Sequence, residues 1–317
     1  MSTALDIDRR MLVVPAVALV LAALLGYLLG HQPARAPVRA NEPTSTTSVA
    51  GVLLQVPARW RSAANSHEIP GLQLNGAVSF APGGNAAAAG LVVGALPSGQ
   101  PSPLPSAMLA RLRGQPTTSV VELQEAQAYR YTNLSIAGST RAVAIYVVPS
   151  GGSQPTVLAC YASPAQVAEL ATCQRIVAAL TLVGRTQTYD LTPQPEYARQ
   201  LSAAVATLDA ARSSLRTQMA ASTSTAHLKQ VAEALAGAFA HAAGTLSGLE
   251  TTLANGAAQS ALSGAMLQAH SAYTALAKAA GRNEVGAYGA ARGQVEAAES
   301  AVNGALQAYS LLGYRSA

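Results

Sequence analysis

The pattern of apolar and polar positions divides the chain into stretches of different period. Residues 11–30 (MLVVPAVALVLAALLGYLLG) carry no charged side chain. A helix of that length, rising about 1.5 Å per residue, crosses the ~30 Å hydrocarbon of a bilayer. Residues 31–50 (HQPARAPVRANEPTSTTSVA) are rich in Pro, Thr and Ser, too polar to bury a core, and read as a flexible linker. From 51 to about 185 the pattern turns strand-like. Short apolar runs at 52–56, 72–80, 91–96, 119–123, 126–135, 140–148 and 155–161 predict strands, and 181–183 a terminal one. Ser106 is placed to cap a short helix over 107–113, and Ser163 with Pro164 starts a helix over 164–179. A turn at Gly138-Ser139 predicts a hairpin between the 126–135 and 140–148 strands.

From 190 to 317 the period becomes helical. Tyr197, Leu201, Val205, Leu208, Leu215 and Met219 stripe a first helix (196–222). Leu228, Val231, Leu235, Phe239, Leu246, Leu249 and Leu253 stripe a second, which Asn255-Gly256 should end. Leu262, Met266, Tyr273 and Leu276 stripe a third that stops at Gly281. Val285, Tyr288, Val295, Val302, Leu306 and Tyr309 stripe a fourth, capped by Asn283. Helices of similar length joined by short turns predict an up-down-up-down antiparallel bundle.

The segment PARW (57–60) and the run ACYASPAQVAELATCQRIVAALTLVG (159–184) resemble PsbP-like α/β-sandwich domains of exported actinobacterial proteins. The resemblance implies a fold for 51–185 and, since that group shares no catalytic motif, no activity. The reading is therefore an α+β chain with five parts. They are a cytoplasmic N-terminus (1–10), a transmembrane signal anchor (11–30), a linker (31–50), an antiparallel-sheet α/β sandwich (51–185) and an antiparallel four-helix bundle (190–317).

Two cysteines are the most informative polar positions in the sandwich. Cys160 ends a predicted strand and Cys173 lies on the following helix, a return that brings two Cα atoms within disulfide range. Behind an anchor and a stalk, an even cysteine count favours oxidation, which places the domains outside the cytoplasm. Arg9 and Arg10 before the apolar run balance Arg35 and Arg39 after it, so flanking charge does not decide orientation. The competing reading of the N-terminus is a cleaved signal peptide ending near Ala40, but the apolar run exceeds the ~7–15 residues usual for one.

Composition narrows the function classes. Half of the 317 residues are hydrophobic, but only 11% are charged and 4% aromatic, and alanine supplies 69. That excludes intrinsic disorder, and the single long apolar run excludes a polytopic membrane protein. The net charge of +5 comes from scattered arginines with no basic helix face or aromatic interleaving, which argues against nucleic-acid binding.

The remaining polar candidates have structural explanations. If the second and third helices fold about Asn255-Gly256, His241 faces His270 and Glu233 faces Lys278, but two histidines fall short of the three or four ligands zinc takes. Arg212 falls on the apolar stripe of the first helix, and Glu296 and Glu299 lie on or near that of the fourth. A buried arginine needs a partner, which predicts an Arg212–Glu296 or Arg212–Glu299 pair that sets helix register. His67-Glu68 in a polar loop, Trp60 and the Asn133 glycosylation sequon carry little. No cofactor, metal site or catalytic set is expected. The chain reads as a monomeric, single-pass envelope protein held in the lipid bilayer by residues 11–30. Its expected role is non-enzymatic, a binding, scaffold or sensor module for an envelope protein or ligand. The alternative is a small-molecule or lipid carrier with an apolar pocket.

Overall fold

The computed structural model describes residues 43–63, 69–98, 100, 102–149, 154–184, 189–252 and 254–314. The expected cytoplasmic N-terminus, anchor and most of the linker lie outside these, as do His67 and Glu68. Among the described residues no helix is long and apolar enough to cross a membrane.

The described chain is α+β, with two antiparallel sheets and a helical C-terminal region. The first sheet has three strands in the order β1-β2-β10: β1 (Thr44–Val49), β2 (Val52–Pro57) and β10 (Thr181–Leu182). β1 corrects the linker boundary. Its sequence TSTTSV is polar enough to read as a stalk, yet alternate β-branched residues suit an exposed edge strand, and Val49 alone is buried. Ala50 and Gly51, both at positive φ (48° and 81°), make a two-residue turn whose twist matches the strands it joins.

The second sheet has seven strands in the order β3-β4-β5-β9-β8-β7-β6. They are β3 (Trp60–Ser62), β4 (Asn75–Pro82), β5 (Ala89–Ala95), β6 (Thr117–Glu122), β7 (Gln127–Thr132), β8 (Ala142–Val148) and β9 (Thr156–Ala162). β9 is central, and all seven of its residues are buried because both faces of the sheet are covered. Leu158 and Cys160 point to one face, under α2 (Val167–Ala178) and the small sheet. Val157, Ala159 and Tyr161 point to the other, under α1 (Ser106–Leu109) and the helical region.

The expected tight hairpin at Gly138-Ser139 is instead a nine-residue connection between β7 and β8, carrying a bridge from Ile136 to Leu112. β7 stops at Thr132 because Asn133 turns to positive φ (56°). Ser106 is the first residue of α1 rather than its cap, and Ser163 precedes a single turn of 3₁₀ helix (Pro164–Gln166) without a side-chain cap.

Four long helices follow: α3 (Pro195–Ala220), α4 (Thr225–Ser247), α5 (Gly256–Arg282) and α6 (Val285–Leu311). Alanine favours these helices and lets their axes approach, while Leu, Phe and Tyr fill the wider gaps. Ser224 caps α4, its hydroxyl accepting from the His227 N–H. α4 ends eight residues earlier than Asn255. The intervening segment turns back on itself, so Leu249 lies off the helix. α5 continues through Gly281 and stops at Asn283 in the left-handed region (φ 56°).

Thr44–Ala317 form a compact unit. The buried side chains of β7, β8 and β9 belong to the same continuous core as those of α3, α5 and α6.

Candidate functional site

Where the helices meet the sheet, residues far apart in sequence form a set of buried polar contacts. The Tyr309 hydroxyl donates to the Tyr197 hydroxyl (2.8 Å), which donates to Gln259 Oε1 (2.8 Å). Gln259 Nε2 in turn donates to the Leu246 carbonyl (2.8 Å), which also accepts from the Leu249 N–H at the end of α4. Asn255, fully buried before α5, accepts from the Thr252 N–H and donates to the Tyr314 hydroxyl. On the sheet side, the Tyr131 hydroxyl donates to the Leu311 carbonyl (2.7 Å), and Gln127 Oε1 accepts from the Leu191 N–H (2.7 Å). The rings of Tyr197, Tyr309 and Tyr314 pack within 5.3–6.2 Å of one another.

Burial pushes the phenols of Tyr129, Tyr131, Tyr197 and Tyr309 above their ordinary range, and donation to Tyr197 raises Tyr309 further. A phenol held this firmly protonated is a poor general base. The network joins the sheet to the ends of α3 and α6, and its partners are consumed within it. Sequence reading missed it because Tyr131, Tyr197, Gln259 and Tyr309 sit on four separate elements, with Tyr314 just beyond the last, and no periodicity reveals how these pack.

A second polar cluster lies midway along the helices. Arg212 is 8% exposed; its Nη1 meets Asp209 at 2.8 Å and its Nη2 lies 3.8 Å from Glu299 Oε2. Arg216 forms a salt bridge to the same carboxylate oxygen, and the Tyr273 hydroxyl donates to Glu299 Oε1 (2.5 Å). The Arg212 guanidinium sits 5.7 Å from the centroid of Phe239, which stacks on Tyr273. All four long helices thus contribute. Glu296 takes no part: it is exposed and lies 4.0 Å from Arg292 on its own helix.

Cys160 and Cys173 form a disulfide with Cα atoms 5.7 Å apart, tying β9 to α2 beneath the sheet. Among the described residues no hydrogen bond joins the two histidines. His241 is exposed, while His270 is half-buried with Nδ1 3.0 Å from the Ala236 carbonyl. Although α4 ends early, its pairing with α5 stays close to the hairpin expected at Asn255-Gly256: Ser247 Oγ meets Ser263 Oγ (3.2 Å) and Phe239 stacks on Tyr273. Glu233 pairs with Lys229 on its own helix rather than with Lys278. Among the described residues no group of three or more His, Cys, Asp or Glu could hold a metal.

Two open apolar depressions flank α6. One, about 610 Å³, runs between α5 and α6 along Gly264, Leu267, Ala272, Ala297 and Ala298, with Gln268 and Gln294 at its rim. The other, about 150 Å³, lies where α4 starts and α5 ends, lined by Leu228, Ala279, Ala280, Val285 and Tyr288. No protein-family model matches the chain, and no curated protein matches it.

Proposed function

We propose that this chain is a non-enzymatic binding, scaffold or sensor protein of a bacterial cell envelope. In this reading residues 11–30 anchor it in the bilayer and present a PsbP-like sandwich with an antiparallel four-helix bundle on the extracytoplasmic side. The observation that carries the reading is the groove between α5 and α6. It is open and largely apolar, exposes half of Leu267, and is lined otherwise by Gly, Ala, Ser and Gln, of which the small residues let another backbone approach closely. The buried polar groups support it, since they bond to one another at the junction and in the Arg212 cluster instead of converging on a cleft. The Cys160–Cys173 bridge supports an oxidising compartment.

The carrier alternative rests on the smaller cleft. At about 150 Å³ it falls below the ~300 Å³ of ordinary ligand pockets, so the groove is favoured. A photo-crosslinking side chain at Leu267, used in intact cells, tests the reading. A discrete adduct that Ala297→Arg abolishes, with the fold intact, is expected; absence of any adduct overturns the docking role. Thiol labelling from the cytoplasmic side of unreduced cells tests topology separately, and labelled Cys160 or Cys173 would refute the placement.

A further inference from the structure

α6 is built of two unlike halves. Its last half is latched: Val302, Ala308, Tyr309 and Leu311 are buried, Tyr309 bonds to Tyr197, and the Leu311 carbonyl accepts from Tyr131. In the first half, from Val285 to Ala298, only Ala291 and Ala298 are fully buried, Tyr288 and Val295 are half-buried against the core, and a methyl group contributes little apolar area. Val285 is 84% exposed. The start of this helix has no side-chain cap, because Glu284 makes no such bond.

Gly286, Gly289 and Gly293 fall on three turns of this half, and a Cβ at any of them would meet nothing within 4 Å. No close neighbour requires glycine there, so these residues act only to weaken the helix, each by about fivefold in local equilibrium against alanine. The two apolar depressions both border this half: Gln294, Ala297 and Ala298 line one, Val285 and Tyr288 the other. Glu299, tied to Arg212, Arg216 and Tyr273, stands between the halves.

We infer that residues 285–297 form a hinged strap that lifts from α5 about the Glu299 layer while residues 302–314 stay latched to α3 and the sheet. Lifting joins the two depressions into one apolar channel over Ala272, Ala279 and Ala280. The device does not depend on the docking role proposed above, since it follows from packing alone.

Hydrogen exchange read by mass spectrometry on the full-length chain tests it. Amides of 285–297 should exchange about 100-fold faster than those of 302–311, as a sub-global opening separate from unfolding. The triple variant Gly286→Ala, Gly289→Ala, Gly293→Ala should slow exchange in 285–297 by about 100-fold relative to the other helices, the product of three helix-propensity gains. Gly304→Ala, which adds the same methyl in open space in the latched half, should leave strap exchange unchanged. Equal protection of the two halves, or slowing spread evenly over all four helices in the triple variant, overturns the strap.

Discussion

Glu299→Gln isolates the charge at the centre of the helical region. The substitution keeps the volume and an oxygen that can accept from Tyr273, but removes the negative charge that faces Arg212 at 3.8 Å and Arg216 beside it. With an effective dielectric of about 20, one such pair has a gross attraction of roughly 4 kcal/mol. The net loss is smaller. Arg216 is 46% exposed and can turn to water, and Arg212 keeps Asp209 at 2.8 Å and the face of Phe239. Arg212 cannot escape, because only 10% of its side chain is exposed and its Nε already lacks a partner. Breaking a fully buried pair costs about 3–5 kcal/mol, so this partly compensated one should cost about 2–3 kcal/mol. Urea unfolding followed by circular dichroism measures it, with Glu296→Gln as control. That carboxylate is 75% exposed and 4.0 Å from Arg292, so its loss should cost less than about 0.5 kcal/mol. A double-mutant cycle with Arg212→Met should give a coupling of about 1–2 kcal/mol. Equal effects of the two Glu→Gln changes, or zero coupling, would refute the claim that the cluster holds the helices in register.

Three other perturbations have calculable outcomes. Replacing both cysteines by serine opens a loop of 13-residue separation and should cost about 3 kcal/mol on the chain-entropy account, seen as a lowered thermal midpoint that reducing agent reproduces in the parent. Gly71→Ala places a Cβ 2.6 Å from the Met108 Cα at φ +82° and should cost about 3 kcal/mol or more, whereas Gly138→Ala (φ +86°, open space) should cost only about 1 kcal/mol; similar costs would show that space at Gly71 does not matter. Tyr197→Phe strands the Gln259 oxygen and the Tyr309 hydroxyl together and should cost about 2–3 kcal/mol, against about 1 kcal/mol for Tyr309→Phe, which removes only the donor at the end of the chain; the reverse order in denaturant melts would refute the assigned bond directions.

Much of this fold can be read from residues one or two turns apart, and what cannot be read depends on partners far away. Cys160 at a strand end and Cys173 on the next helix are local enough to show their pairing. Arg212's place on an apolar stripe is likewise visible. Which carboxylate it meets is not, because Glu296 and Glu299 lie three residues apart and the choice depends on how far α6 slides along α3. The end of α4 is hidden for a related reason: Asn255-Gly256 looks like a helix end, but α4 stops at Ser247 and the Asn255 side chain is buried toward Tyr314 at the start of α5. β1 escaped notice because an edge strand with one buried residue leaves almost no hydrophobic signal. Nothing local to Tyr131 announces that its hydroxyl's partner, the Leu311 carbonyl, lies 180 residues away.

The tyrosines that make the two halves one unit also set its limit at high pH. A phenol ionises near 10 when free, and burial holds Tyr129, Tyr131, Tyr197 and Tyr309 above that, with Tyr161 pushed up to about 12. Raised values mean that the folded chain keeps protons the unfolded chain releases. Their stabilising contribution is therefore complete below pH 10 and declines as pH climbs from 10 toward and through the folded values. Alkaline titration should show tyrosinate absorbance and loss of ellipticity rising together above pH 10, because these phenols ionise only as the junction opens. The same titration on Tyr197→Phe should begin unfolding at lower pH, since the junction it weakens has less stability to lose. If the buried phenols ionised near 10 with ellipticity unchanged, the junction would be open to water, and the shared core of sheet and helices could not be the tight contact that Tyr131 and Leu311 describe.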